Sequence, residues 1–260
     1  MPESWIDYLN RLDVERLELT NDEILDAVER GLRLQGQGES VIEPRVHLEP
    51  GVSNGHFNVL RGSLGGDIDI AGVKVVGDFV DNYKVGLPSE LALLNLMDRR
   101  TGQPRAVIDA SYLTDMRTGA VTALGAKHLA RKGSKVLGHV GARGTAYWNV
   151  RLLDHLFDFD EIRVHSLRPE SREAFARTLS EDLGKPVVAT TDWESCVRGA
   201  DIVVAVPDGW ASRATALLGV DPRCVVVTGG ATRRDSVRIA LEAVPSGTEA
   251  VVCHDAARPL

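Results

Sequence analysis

The chain has 260 residues, 37 acidic against 30 basic, and a formal charge of −7, with 43% hydrophobic and 26% charged residues. That composition is ordinary for a soluble globular protein of one large or two average domains, and the repeated Val/Ile/Leu runs exclude a disordered chain because they bury enough area to offset ordering entropy. The acidic balance argues against a nucleic-acid partner, whose phosphates need clustered Lys and Arg; basic residues adjoin at most in pairs, such as Arg233-Arg234.

Along the chain, Thr20-Asn21-Asp22-Glu23 is a capping box, a hydroxyl and a carboxylate spaced to satisfy the first amides of a helix. Ile24, Leu25, Val28 and Leu32 then recur at helical spacing to about Leu34. Short β-branched or alternating segments follow at Arg45–Leu48, Phe57–Leu60, Val73–Val76, Leu91–Met97 and Ala106–Ile108, with turns at Gly65-Gly66-Asp67 and Arg100–Pro104 between some of them. This rhythm predicts a mostly antiparallel sheet beside one or two helices. A small-residue helical stretch, Thr118–Lys132, leads into the second half.

There the apolar runs Lys135–Val140, Glu161–His165, Pro186–Ala189, Asp201–Val206, Cys224–Thr228 and Ala250–Cys253 are mostly separated by helical patterns at Tyr147–Phe157, Glu170–Leu183, Asp192–Arg198 and Asp235–Ala243. Thr191 and Glu194 suggest a second capping box. Strands alternating with helices imply a parallel sheet covered on both faces. The predicted class is therefore α/β, a Rossmann-type dinucleotide-binding domain over residues 121–260 joined to an α+β substrate-binding and dimerisation domain over residues 1–120.

The first strand of the second half is followed by Gly141-Ala142-Arg143-Gly144-Thr145-Ala146 and a helix, where a dinucleotide turn presents helix-terminal amides to a pyrophosphate. The fingerprint's middle glycine is Arg143, with Gly144 one position late; a guanidinium there could pair with phosphate, and a tight packing turn is the alternative. After the second strand, Ser166 and Arg168 stand where an acidic residue would select NAD. A hydroxyl with a guanidinium accommodates a 2′-phosphate, so NADP is mildly favoured, although Arg168 also reads as an ordinary solvated charge.

Cys196, Cys224 and Cys253 are odd in number and lack CxxC spacing, and the seven histidines form no HxH or HExxH pattern, so neither a disulfide framework nor a metal site is expected. No run approaches the roughly 20 apolar residues of a membrane span. Met1–Trp5 lacks the apolar core of a secretion signal. A reducing, cytoplasmic setting is the expectation. Three basic residues stand out in framed positions: Arg45 after Pro44, Lys74 inside the apolar run Val73–Val76, and Arg117 before Thr118-Gly119. A lysine on such a strand either snorkels outward or meets an anion in a cleft. His56 and Asp78 are weighed as further cleft residues, a solvated loop histidine being the simpler reading of His56.

These residues lie in ordered motifs. Pro44-Arg45, Gly72-Val73-Lys74-Val75, Asn82 with Gly86-Leu87-Pro88, Asp98 with Thr101-Gly102-Gln103-Pro104, Leu113-Thr114 with Arg117-Thr118-Gly119-Ala120, and Ala200-Asp201-Ile202-Val203 follow one another in that order. The series resembles the ornithine cyclodeaminase/μ-crystallin family over nearly the whole chain. The resemblance implies a two-domain, dehydrogenase-like protein that is usually a homodimer joined through the first domain's sheet. It implies that Arg45, Lys74 and Arg117 hold the α-carboxylate of a small amino or imino acid, Lys74 also assisting proton transfer. Thr118, Gly141, Arg143, Gly144, Thr145, Ala146, Ser166 and Arg168 would hold NAD(P), and hydride would pass at the substrate's α-carbon.

Cyclodeaminases of the family carry an aspartate after a Gly-Gly that here reads Gly229-Gly230-Ala231. Ala231 points away from a deaminating lyase and toward the reductase and dehydrogenase branch. The family's segment returning from the nucleotide domain to the first is expected to be absent, since the sequence runs only to Leu260 after Cys253. A deaminating lyase and a catalytically silent ligand-binding relative are the alternatives.

Overall fold

The computed structural model describes residues 5–130, 132–142, 144–192, 195–196, 202–206, 224–228 and 242. Two compact units emerge, Met1–Leu124 with Gly144–Leu152, and Gly125–Arg143 with Leu153–Leu260.

The first unit contains β1 (Asp7–Leu9), α1 (Arg11–Glu15), α2 (Asn21–Gly36), β2 (Ser40–Ile42), β3 (Val46–Leu48), β4 (Gly55–Leu64), β5 (Ile70–Phe79), β6 (Glu90–Asp98), β7 (Pro104–Asp109), most of α3 (Ser111–Leu129) and the first half of α4 (Ala146–Phe157). Its seven strands run in the order β1-β7-β6-β5-β4-β2, with β3 also on β4. All pairings are antiparallel except β1 with β7. The Thr20 cap forms as its spacing predicts: Thr20 Oγ1 accepts from the Glu23 amide at 3.2 Å, and Glu23 Oε2 from the Thr20 amide at 2.8 Å. Asn10 and Asp13 make a further capping box on α1, which the sequence reading did not include.

Two family-like motifs prove to be turn hardware. Asn82 Nδ2 donates to the Pro88 carbonyl at 2.8 Å, closing a loop in which Gly86 has φ +74°. Asp98 Oδ1 accepts from the Arg100 and Thr101 amides and the Thr101 hydroxyl, while Oδ2 accepts from Arg105 at 2.9 Å. These bonds, Arg105 foremost, hold the Asp98 carboxyl well below the ordinary aspartate range.

The predicted segment Arg45–Leu48 belongs to a strand broken by a bulge. Ile42 pairs with Gly62 and Val46 with Val59, and the Glu43 amide donates to Arg61 O, so Pro44 and Arg45 together oppose Leu60. Pro44 has no amide to donate, which suits a position outside the ladder. On β5, alternation puts Gly72, Lys74, Val76 and Asp78 on one face. Val76 packs there with Ala92 and Ala110, flanked by Leu60 and Leu94. The opposite face carries Val46, Val59, Val75 and Leu93 in one register row. Val46 and Leu93 are about half exposed, at 49% and 47%. On α3, Gly119 lies directly against α4; a Cβ there would sit 2.6 Å from the Trp148 carbonyl carbon.

The second unit holds β8 (Val136–Val140), β9 (Glu161–His165), α5 (Pro169–Leu183) and β10 (Val187–Ala189). The three strands are parallel in the order β10-β9-β8, the arrangement of half of a doubly wound α/β sheet. The remaining strands, β11 (Ile202–Val206) and β12 (Cys224–Thr228), pair in parallel. Ile162 and Val164 on one face of β9 and Leu179 on α5 are fully buried, as a sheet face covered by a helix requires. Asp192 Oδ1 accepts from the Ser195 amide at 2.6 Å, while Glu194, the second member of the predicted Thr191 box, lies outside the described residues. The predicted strand Ala250–Cys253, most of the predicted helix Asp235–Ala243, and Ala231 lie outside the described residues. Among the described residues no helix is long and apolar enough to cross a membrane.

Candidate active site

Lys74 leaves the sheet on the face that carries Val76, and its Nζ donates to Thr114 Oγ1 at 3.2 Å, across from β5 to the first turn of α3. Thr114 is buried and donates its own proton to the Ala110 carbonyl at 2.6 Å. Burial lowers the Lys74 pKa to about 8, and the like charge of Arg117 adds to the effect against the opposing pull of Glu90. Arg117 is also destabilised as a cation, mainly by desolvation, though its side chain reaches solvent. Beside it on α3, burial pushes the Asp115 carboxyl up to about 6, with Glu90 reinforcing and Arg117 and Arg11 opposing.

Lys74, Glu90, Asp115 and Arg117 therefore share one electrostatic neighbourhood. Neither Lys74 nor Arg117 forms an ion pair with a described residue. Two cations held in no direct ion pair with a described residue, in a partly desolvated place, are suited to an anionic ligand. The bulge puts Arg45 in the same row: it opposes Leu60, and Leu60 pairs with Lys74. Two interstrand steps separate Arg45 from Lys74, roughly 10 Å in backbone position. Arg45 is exposed.

Further along the same face, His56 pairs with Asp78, and both line a cavity of about 280 Å3 with Glu49, Ser53, Asn54 and Val80. His56 is on β4, not in a loop, and its ring lies 5.3 Å from that of His47. Among the described residues no cluster of His, Cys, Asp and Glu could hold a metal ion.

The residues expected on a dinucleotide are distributed as follows. Gly141, at the end of β8, has φ +117° and donates its amide to His165 O at 2.8 Å. Gly144 has φ +53° with open space where a Cβ would stand. Both conformations favour glycine. Thr145 O accepts the first helical bond of α4 from Asn149, and Ala146 is buried at its start. Ser166 follows β9, and Arg168 is exposed at the N-terminus of α5. Thr118 Oγ1 donates to Thr114 O at 2.7 Å on α3. Arg143 lies outside the described residues. A glycine-bearing turn between a parallel strand and a helix fits a dinucleotide.

Residues 7–236 match the model of the ornithine cyclodeaminase/mu-crystallin family. The chain belongs to that family. It is 36% identical to an alanine dehydrogenase of Archaeoglobus fulgidus over 68% of this chain and 52% of that one. Among solved structures, Thermococcus litoralis Δ1-pyrroline-2-carboxylate reductase with NADH and L-proline superposes with a TM-score of 0.72 at 31% identity, covering 77% of this chain and 62% of that one. An archaeal alanine dehydrogenase dimer with bound NAD superposes with a TM-score of 0.68 at 33% identity, covering 78% and 60%. The chain spans about half the length of that curated dehydrogenase and about 60% of these two structures.

For this member of the ornithine cyclodeaminase/mu-crystallin family, the structure brings Lys74 and Arg117 into one electrostatic neighbourhood. Sequence reasoning passed over Asp115 and Glu90 and gave Thr114 no role of its own. Thr114 belongs to the Leu113–Ala120 motif and Asp115 falls within its span; Glu90, a charge at a strand end, carried no signal distinguishing it from a solvated one.

Proposed function

We propose that this chain belongs to an NAD(P)-dependent oxidoreductase that transfers hydride at the α-carbon of a small imino or amino acid. The observation that carries this reading is the pair of partly desolvated cations, Lys74 and Arg117, without ion-pair partners among the described residues. In this reading Arg45, Lys74 and Arg117 clamp the substrate carboxylate, the arginines through their planar forks. Lys74, with its pKa near 8, also moves a proton to or from the imine or amine nitrogen. Thr118, Gly141, Arg143, Gly144, Thr145 and Ala146 hold the dinucleotide, and Ser166 with Arg168 takes a 2′-phosphate, favouring NADP. Bound there, the nicotinamide supplies or accepts the hydride. The likeness to a Δ1-pyrroline-2-carboxylate reductase and to alanine dehydrogenases supports this chemistry. Ala231 in place of the cyclodeaminase aspartate favours reduction over ring-closing deamination.

The reading assigns residues 1–120 to substrate binding and dimerisation and 121–260 to the dinucleotide. The apolar sheet face with Val46, Leu48, Leu91 and Leu93, all more than 40% exposed, supports a homodimer. The free, buried thiol of Cys196 is compatible with a reducing cytoplasm.

Thermal shifts in saturating NADH and NADPH test the cofactor assignment, because a ligand of the native state raises its stability. A rise is expected with both, larger with NADPH; no rise with either refutes the reading. Oxidation of the responding cofactor is then followed with Δ1-pyrroline-2-carboxylate and with pyruvate plus ammonia. Arg117→Ala is expected to raise KM for the acid by about 10- to 100-fold, the worth of a charge-assisted contact, while the thermal shift is retained. Loss of the shift in this variant would remove Arg117 from the substrate site.

A further inference from the structure

Lys74 has a single hydrogen-bond partner among the described residues, the hydroxyl of Thr114. The direction of that bond is determined by counting protons. A threonine hydroxyl has one, and Thr114 directs it to the Ala110 carbonyl at 2.6 Å. Its oxygen can therefore only accept from Lys74 Nζ. A buried acceptor with no proton to offer favours the ammonium form and pins one of its three N–H bonds, leaving two for a ligand.

We infer that Thr114 is the positioning residue of the site: its hydroxyl holds Lys74 as an oriented ammonium and ties the strand bearing one cation to the helix bearing the other. Arg117 is one helical turn beyond Thr114, so this bond links the two like charges. A carboxylate in this place would also hold Lys74, but it would neutralise the charge on which anion binding depends. A neutral acceptor orients the lysine and leaves its charge available. The charged groups that act on Lys74 are Arg117 on α3 and Glu90 on β6, both of which also act on Asp115, while its cross-strand neighbours Leu60 and Leu94 are apolar. No other described group supplies an acceptor for the ammonium. The inference rests on the proposed role of Lys74 only for its catalytic consequence.

The test is an NMR titration of the lysine side chains in 13C-labelled protein, with the Lys74 signal assigned by its loss in Lys74→Met. Thr114→Val keeps the shape and deletes the hydroxyl; Thr114→Ser keeps the hydroxyl. The expected result is a Lys74 midpoint lowered by about one pH unit in the valine variant and restored in the serine variant. In turnover, the valine variant should lose about 10- to 100-fold in kcat/KM, with its alkaline limb moved to lower pH and both effects reversed by serine. An unchanged midpoint in Thr114→Val, or one that serine fails to restore, overturns the inference whatever the activity. A moved and restored midpoint in a protein without NAD(P)H turnover establishes the Thr114 contact and refutes the proposed function instead.

Discussion

Lys74→Met is expected to remove activity and at the same time to raise the melting temperature. The lysine is an aliphatic stem beside Leu60 and Leu94 ending in a charge that burial holds near pKa 8 instead of 10.5. The folded state binds that proton less tightly than the unfolded chain. Below pH 8 both states are protonated and the full desolvation cost is present. Between pH 8 and 10.5 the folded state releases its proton first, so this cost fades as pH rises. Methionine fills similar space without the charge, which should stabilise the protein by on the order of 1–3 kcal/mol at pH 7, net of the lost Thr114 contact. The advantage should shrink as the melt is repeated from pH 8 toward pH 10. Turnover should fall by roughly 10^2- to 10^4-fold, the range for a lost proton-transfer group, and wild-type kcat/KM for the acid should decline above about pH 8 as the ammonium is lost. Thermal melts and steady-state rates on the same samples decide the matter. A methionine variant that turns over like wild type would remove Lys74 from the chemistry.

The largest structural effect is expected from one added methyl group on α3. Gly119→Ala would put a Cβ 2.6 Å from the Trp148 carbonyl carbon and 2.7 Å from its oxygen. Both are backbone atoms of α4, so the two helices must separate, at a cost of about 1–3 kcal/mol. Gly125 lies on the same helix with nothing within 4 Å of a Cβ. There alanine should stabilise by up to about 1 kcal/mol through helix propensity alone. Opposite signs from the same substitution six residues apart would establish the close approach at Gly119. A Gly119→Ala variant as stable as Gly125→Ala would show that the helices do not meet there.

How much was legible follows from how local each feature is. The Thr20 cap depends on groups three residues apart, and it formed as read. Strands β9 and β12 match the predicted Glu161–His165 and Cys224–Thr228, the first an alternating β-branched segment and the second a continuous apolar run, both patterns local to a few residues. The bulge before β3 was invisible, since it exists only relative to β4: nothing in Glu43-Pro44-Arg45 states that two residues will oppose Leu60 alone. Asp78 and His56 appeared as separate weak candidates until strand register paired them across one cavity.

By itself the sequence determined the class of fold, the family through its ordered motifs, and the identity of the three basic residues proposed to meet a carboxylate. Those are properties of composition, short-range periodicity and residue order. Only the tertiary structure decided what surrounds the charges. It set Thr114 under Lys74 across 40 residues of sequence, placed Glu90 near both cations, and drove Asp115 toward neutrality. Charge state and orientation depend on desolvation and on neighbours in space, and neither is a function of position along the chain.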